Sequence, residues 1–143
     1  MENFTKIMIA IDISPEADQI MNKAMDMAEK YSAEVSLVHV VQPIIIETGY
    51  EMIPILTADI EDNLVKRAET HLVELAKKYK IEEKNTLVLM GAVKSELHRE
   101  ARERDIDLII IGTHARHGVS LILGSTANAV MHGTPCDVLC VKV

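Results

Sequence analysis

Residues 112–126 read GTHARHGVSLILGST and carry the most informative pattern in the chain. Three glycines, Gly112, Gly118 and Gly124, allow close backbone approach and positive φ angles. The last glycine precedes Ser125-Thr126 at a predicted helix start, and a helix start presents unpaired N–H groups to an anion. The spacing fits an anion site, and an ordinary glycine-rich loop before a capped helix fits it equally well. Positive or potentially positive side chains in the same segment are Arg116, His114 and His117.

Two other patterns resemble known sites but lack essential parts. Residues 91–95 (GAVKS) place a Lys-Ser pair after a predicted strand, but the glycine before the lysine and the four-residue spacer of a P-loop are missing. His114 and His117 stand three residues apart, but no further Cys, His or carboxylate cluster accompanies them, whereas a zinc site needs three or four ligands. We therefore expect a helix start near residue 95 and no metal site.

The elements that must position residues 112–126 alternate between strands and helices. Short apolar runs predict five strands, and apolar residues at helical spacing predict four helices. The first and fourth strands are continuously apolar, which is typical of parallel strands covered on both faces. Ser14 as an N-cap and Pro15 at the first helical position predict where the first helix starts. The predicted strands span residues 6–12, 34–41, 86–90, 107–112 and 138–143, and the predicted helices span residues 15–31, 57–79, 94–104 and 125–132.

This alternation predicts an α/β fold, an open five-stranded parallel sheet of the Rossmann-like kind with helices on both faces. Ligands bind such sheets outside the carboxyl ends of the strands, where the strand order reverses. The ends of the first, second and fourth strands offer Asp12, Val40 with Val41, and residues 112–126. By itself Asp12 also fits a turn residue, and Val40 is by default a core valine. Residues 42–54 are predicted to be a mobile loop inside one domain that spans residues 1–143.

Composition excludes several classes of function. The chain has 143 residues, a formal net charge of −7 and 3% aromatic residues, so it lacks the cations and stacking rings of a nucleic-acid platform. No apolar run approaches the roughly 20 residues of a membrane span, and the MENFTK start predicts no signal peptide. Cys136 and Cys140 are most simply buried thiols in a reducing cytosol. We expect a soluble, cytoplasmic protein that binds neither nucleic acid nor membrane.

Four stretches resemble the short, single-domain members of the universal stress protein family: KIMIAIDISPEA, AEVSLVHVV, DLIIIGTHARHG and CDVLCVKV. The resemblance covers essentially the whole chain. Many members bind ATP through a pattern of Gly, two residues, Gly, nine residues, Gly, then Ser or Thr. Gly112 matches its first position, and Gly124 with Ser125 matches its end. Ala115 replaces the second glycine, and only eight residues separate it from Gly124, so Gly118 is the glycine available for the turn.

The resemblance implies an ATP site, occupied with or without Mg²⁺, whose residues form three groups. Those after the first strand and in the second hold the base and ribose, with Asp12 bonding the ribose or base edge and Val40 packing on adenine. Those ending the fourth strand line the ribose and α-phosphate, and those starting the last helix donate hydrogen bonds to the β- and γ-phosphates. In that order they are Ala10, Ile11, Asp12 and Val40; Gly112 and Thr113; and Gly124, Ser125 and Thr126, with Ala115 and Arg116 of the loop completing the set.

Three functions remain open at this point: a nucleotide-binding stress regulator, a slow ATPase or phosphotransferase, and a nucleotide-free interaction module. The sequence offers no positioned general base, no Walker-type Lys and no second acidic metal ligand near the loop, so we expect at most slow ATP hydrolysis. We favour the ATP-binding stress regulator. An apolar last strand without visible cover invites pairing, and family members pair antiparallel through it, so we expect a homodimer through residues 138–143. The apolar residues of that strand are Val138, Leu139, Val141 and Val143.

Overall fold

The fold is known from a computed structural model, which describes residues 3–43, 47–48, 51–52, 57–113 and 125–143. Seven strands occur in the described part. In chain order they are β1 (Lys6–Ala10), β2 (Glu34–Val41), β3 (Glu47–Thr48), β4 (Glu51–Met52), β5 (Thr86–Met90), β6 (Leu108–Gly112) and β7 (Asp137–Val141). β3 and β4 form a small antiparallel pair, and the other five strands form one parallel sheet.

The strand order of the main sheet is β5–β2–β1–β6–β7. The chain moves outward from β1 through β2 to β5, then returns to the opposite side of β1 and ends the sheet at β7. Ile7 of β1 therefore pairs with Val35 on one side and with Leu108 on the other. The order reverses between β1 and β6, which is the kind of place where open α/β sheets bind ligands. The predicted five-stranded parallel fold is confirmed.

Helices cover both faces of the sheet. They are α1 (Ala17–Tyr31), α2 (Thr57–Tyr79), α3 (Val93–Glu103) and α4 (Ser125–Met131), with a short 3₁₀ turn at Glu83–Asn85. α1 and α2 pack on one face, and α3 and α4 pack on the other. Within the described ranges, no helix has the length and apolar character needed to cross a membrane.

The apolar runs of the central strands follow from this double cover. Ile7 and Ile9 face the layer of α1 and α2, whereas Met8 between them faces the layer of α3 and α4, and all three are 0% exposed. In β6, Ile110 and Ile109 divide in the same way. Because side chains alternate between faces along a strand, a strand buried on both faces needs an apolar residue at every position.

Asp107 joins the start of β6 to the start of β1. Its carboxylate accepts hydrogen bonds from the backbone N–H of Thr5 at 2.8 Å, from the Thr5 hydroxyl at 2.8 Å and from the N–H of Lys6 at 3.1 Å. Burial raises the pKa of Asp107, but the hydrogen bonds from Thr5 and Lys6 outweigh it and leave that pKa below its usual value. The ionised carboxylate therefore stabilises the pairing of the two central strands.

Non-glycine residues in the left-handed region end three of the helices. Ser32, Lys80 and Asp105 have φ values of 53°, 59° and 55° and follow α1, α2 and α3. In the α2 case, the N–H of Ile81 bonds the carbonyl of Ala76 at 2.8 Å, which is the long bond of a Schellman cap. These positions normally favour glycine.

Three local predictions differ from the structure. β1 ends at Ala10 rather than at residue 12, because the N–H of Ile11 makes the last backbone–backbone hydrogen bond to β2, to the Val38 carbonyl at 3.0 Å. α1 begins at Ala17, because residues 14–17 form a turn in which Ala17 N–H bonds the Ser14 carbonyl at 3.2 Å, so Ser14 is not the N-cap. The predicted loop at 42–54 contains the β3–β4 pair. The other predicted elements begin or end within two residues of the observed ones.

Candidate functional site

A cleft opens at the carboxyl ends of β1 and β6, at the point where the strand order reverses. Its walls come from the ends of β1, β2 and β6 and from the first turns of α1, α3 and α4. The parallel strands direct their carboxyl ends to one edge of the sheet, and three helices begin at that edge. The described lining residues are Ala10, Ile11, Asp12, Ser14, Glu16, Ile20, Val40, Val93, Leu97, Ile111, Gly112, Thr126 and Ala127.

Six of the eleven predicted binding residues line this cleft: Ala10, Ile11, Asp12, Val40, Gly112 and Thr126. Thr113 follows Gly112 directly but is not in the lining, and Ser125 is the first residue of α4. Ala115, Arg116 and Gly124 lie outside the described residues, as do His114, His117 and Gly118. The sequence pattern therefore brings together residues that are up to 116 positions apart, from Ala10 to Thr126. Their role in binding a ligand stays a prediction.

The chain segment that carries Asp12 is held from β2. His39 Nδ1 lies 2.7 Å from the carbonyl oxygen of Ile11. A carbonyl oxygen only accepts hydrogen bonds, so Nδ1 carries the hydrogen and donates it. Together with the bond from Ile11 N–H to Val38, this contact fixes both backbone groups of Ile11. Asp12 is exposed directly beyond this anchored residue, at the mouth of the cleft.

The end of β6 is tied to β7 at Thr113. The N–H of Thr113 bonds the carbonyl of Val141 at 2.8 Å, and the Thr113 hydroxyl accepts from the N–H of Val143 at 3.3 Å. At the preceding position, a Cβ on Gly112 would lie 2.7 Å from Cδ1 of Ile20. Glycine therefore lets α1 pack closely against the end of β6, and Ile20 would have to move to admit a larger residue.

The first turn of α1 is anchored by the last turn of α2. Asp18 accepts hydrogen bonds from Lys78 Nζ at 2.9 Å and from the Tyr79 hydroxyl at 2.7 Å. The bond from Lys78, followed by that from Tyr79, lowers the pKa of the Asp18 carboxyl. Burial, with the hydrogen bond to Asp18, raises the pKa of Tyr79 to about 12. These contacts hold the turn of α1 from which Glu16 and Ile20 reach the cleft.

The described lining is apolar at its base and acidic at its mouth. Its charged members are Asp12 and Glu16, and no Lys or Arg is among the described residues that line it. In the part of the chain that the structure covers, no three His, Cys, Asp or Glu side chains lie together as a metal site would need. The described part of the cleft therefore favours a ligand with an apolar face and hydrogen-bond donors near the carboxylates.

Sequence reasoning missed seven of the lining residues: Ser14, Glu16, Ile20, Val93, Leu97, Ile111 and Ala127. Six of them lie at the end of a predicted strand or near the start of a predicted helix, so the sequence did carry a signal for these; Ser14 is the exception. Glu16 is the informative case, because its carboxylate adds a second negative charge to the cleft. The family pattern concerns the phosphate loop, so it gave no reason to select this residue.

Comparison with known proteins agrees with this architecture. A model of the universal stress protein family matches residues 3–142. Universal stress protein A homolog 2 of Coxiella burnetii is 35% identical over 146 residues, covering 100% of this chain and 98% of the relative.

Solved structures share the fold along the whole chain. The universal stress protein UspA from Lactobacillus plantarum superposes with a TM-score of 0.82 at 20% identity, covering 99% of each chain. A universal stress protein in complex with cAMP superposes with a TM-score of 0.68 at 21% identity, covering 99% of this chain and 98% of the other. The match to the family model and the identity to the Coxiella relative extend from end to end, and the chain belongs to the universal stress protein family.

Proposed function

We propose that this protein is a stress-response regulator that binds ATP in the cleft between β1 and β6. The observation that carries the proposal is the convergence of six of the eleven predicted binding residues on that one cleft. The cleft lies at the switch point of a parallel sheet, where nucleotides bind in open α/β folds. A relative of the same fold in complex with cAMP supports a nucleotide as the class of ligand.

In this proposal the base and ribose occupy the β1–β2 side of the cleft. Val40 and Ala10 supply an apolar surface for adenine, and Asp12 accepts a hydrogen bond from the ribose or the base. The half-buried His39 supports this side by holding the Ile11 carbonyl. An apolar slot with one convergent acceptor is the usual composition of such a subsite.

The phosphates occupy the α4 side of the cleft. Gly112 and Thr113 line the ribose and the α-phosphate, and the first residues of α4 donate to the β- and γ-phosphates, since N–H groups at a helix start attract anions. Glu16 directly precedes α1, which packs on the opposite face of the sheet from α4. The negative charges of Glu16 and Asp12 in the cleft therefore favour the phosphates on the α4 side. Gly124, Ala115 and Arg116 complete the phosphate side, with Mg²⁺ as an optional counterion.

Charge decides where the affinity for ATP arises. The chain has a net charge of −7, so its overall field repels a triphosphate rather than attracting it. Binding must therefore depend on local donors, namely the start of α4 and the Arg116 guanidinium. We expect the affinity to fall when either of these is altered.

Isothermal titration calorimetry with ATP tests the proposal. We expect a dissociation constant in the micromolar range for the natural chain, and loss of binding in Gly124→Asp and Ser125→Asp through steric block and like charge. Ser125→Thr keeps the hydroxyl and is the matched control that should still bind. If ATP gives no binding heat up to millimolar concentration, the ATP-binding function is wrong, and a nucleotide-free interaction module remains as the function. If the natural chain releases phosphate from ATP and Gly124→Asp does not, the protein also hydrolyses ATP slowly.

We further propose that residues 1–143 form one nucleotide-binding domain that pairs into a homodimer through the β7 edge. β7 is the last strand in the sheet order and pairs only with β6 among the described strands. Its half-buried Val138 and Leu139 leave apolar surface beside unpaired backbone groups, which invites a second strand. Sedimentation analysis should give twice the chain mass, and a monomer mass at all concentrations would contradict the dimer.

A further inference from the structure

A buried histidine connects the two helices that flank the phosphate side of the cleft. His98 on α3 is 5% exposed, and its Nε2 lies 2.7 Å from the carbonyl oxygen of Val130 on α4. Since the carbonyl oxygen can only accept, Nε2 carries the hydrogen and donates it. Val130 is itself 0% exposed, so the bond is fully enclosed between the two helices.

α4 depends on such a contact because it is short. It has seven residues, and a helix of this length is not stable by itself in water. Its last carbonyls have no partner within the helix, and that of Val130 is one of them. His98 supplies the missing donor. On the β7 side, a contact of 3.8 Å between Cys140 Sγ and Met131 Sδ adds a second attachment at the same end of α4.

Other residues of α3 and α4 line the cleft. Leu97, the neighbour of His98, is 0% exposed and lines the cleft from α3, and Thr126 and Ala127 line it from the start of α4. α4 is about 10 Å long, at about 1.5 Å per residue, so a shift at Val130 also moves its first turn. Hydrogen bonds from N–H groups to phosphate hold only within a few tenths of an ångström.

We propose that His98 is a positioning residue, which holds α4 at the distance from α3 that phosphate binding requires. This inference rests on the proposed function. His98 is not in the lining of the cleft and touches no ligand; it acts through the Val130 carbonyl. The base side of the cleft is formed by Ala10 and Val40, which pack on the same apolar cluster as Leu97 and Val130. Their backbone is held by the strand pairing of β1 with β2 and of β2 with β5, not by this bond. Removing the donor therefore weakens the binding of the triphosphate more than that of the nucleoside.

The test compares ATP with adenosine in two variants of His98, by titration calorimetry at a temperature where each is folded by circular dichroism. His98→Leu removes the donor and leaves a buried carbonyl unpaired, which native structures avoid. We expect it to weaken ATP binding by about 10-fold and to leave adenosine binding within about twofold. His98→Gln keeps an N–H donor at a similar reach and should recover most of the affinity for ATP. Ala101→Gly, a change at a buried position of the same helix, is the control for general loss of stability and should keep the natural ratio of the two affinities.

The outcomes separate this inference from the function on which it rests. If the natural protein binds no ATP, the proposed function is wrong and this role of His98 is excluded with it. If the natural protein binds ATP but His98→Leu binds it equally well, or loses ATP and adenosine in parallel, the positioning role is wrong. Should His98→Leu fail to fold, proton NMR of the natural protein decides. The His98 Nε2 proton should exchange slowly and slow further with ATP; a proton whose exchange does not change with ATP contradicts the role.

Discussion

A negative charge at Thr126 should separate ligand binding from stability. Thr126 is exposed, lies in the first turn of α4 and lines the cleft. α4 has no acidic residue in its first turn, so Thr126→Asp improves the interaction with the helix dipole and should stabilise the fold by about 0.3–1 kcal/mol. The same charge would face the phosphates of ATP. Stability and affinity are thus expected to change in opposite directions.

The size of the affinity loss follows from Coulomb's law. At a separation of roughly 6 Å and an effective dielectric constant of about 20, two like charges repel by about 3 kcal/mol. Screening at physiological salt, with a Debye length of about 8 Å, lowers this by roughly half, to about 1.4 kcal/mol. One such charge pair corresponds to about a 10-fold loss, so we expect Thr126→Asp to bind ATP at least about 10-fold more weakly.

Titration calorimetry measures the affinities for ATP and for adenosine, and thermal unfolding measures the stability of each variant. Thr126→Asn is the neutral control of matched shape and should bind ATP within about threefold of the natural chain, since it adds no charge. Adenosine binding should not respond to either change. A folded Thr126→Asp variant that keeps the natural affinity for ATP would refute the placement of the phosphates at α4, as would equal losses in the Asp and Asn variants.

Four further predictions concern residues outside α4. Glu16→Gln removes a negative charge from the cleft and should strengthen ATP binding by about 2–5-fold, measured by calorimetry; weaker binding would mean that Glu16 contacts the ligand favourably. Asp107→Asn should lower the free energy of unfolding at pH 7 by about 1–3 kcal/mol. The pKa of Asp107 is lowered in the fold, so the stability difference between the natural chain and Asp107→Asn is fully present above the unfolded pKa of about 3.9. It should disappear as the pH falls through the folded-state pKa. A difference that stays constant from pH 7 to pH 2 in denaturant titrations would contradict this prediction. Lys80→Gly should raise the free energy of unfolding by about 0.5–1 kcal/mol by relieving the left-handed conformation, whereas a loss would show that the Lys80 side chain stabilises the end of α2. Cys136 and Cys140 were predicted to be buried thiols but are only half-buried. Burial still raises the pKa of each thiol, so both should react with a disulfide reagent more slowly in the folded chain than in denaturant at pH 7.5; equal rates would contradict their partial burial.

The sequence predicted the elements well because their patterns are local. The spacing of apolar residues gave α2 its observed bounds of Thr57–Tyr79, and the run at Leu108–Gly112 gave a doubly buried strand. The predicted start of α1 was wrong for an equally local reason. Ser14-Pro15 has the composition of a helix start, but the same residue types favour turns, and the turn at residues 14–17 delays the helix to Ala17.

The cleft was predictable in its position but less so in its lining. Asp12, Val40 and Gly112 were found because they end strands, and parallel strands end at one edge. Leu97 and Ala127 were not, because their place in the wall depends on how α3 and α4 pack, which apolar spacing does not specify. The bond between His98 and Val130 depends on contact between residues 32 positions apart. A helical histidine carries no sign of such a partner in the sequence.

The most direct test of the central claim is an amide NMR titration of the natural protein with ATP. We expect saturable shifts that are concentrated at residues 10–12, 40, 112–113 and 125–127, with adenosine reproducing the shifts at residues 10–12, 40 and 112–113 but not those at residues 125–127. Residues 10–12 and 40 form the base side of the cleft, residues 112–113 lie between the two sides, and residues 125–127 form the phosphate side. No shifts at millimolar ATP, or shifts confined to the β7 edge at residues 137–141, would contradict a nucleotide site between β1 and β6.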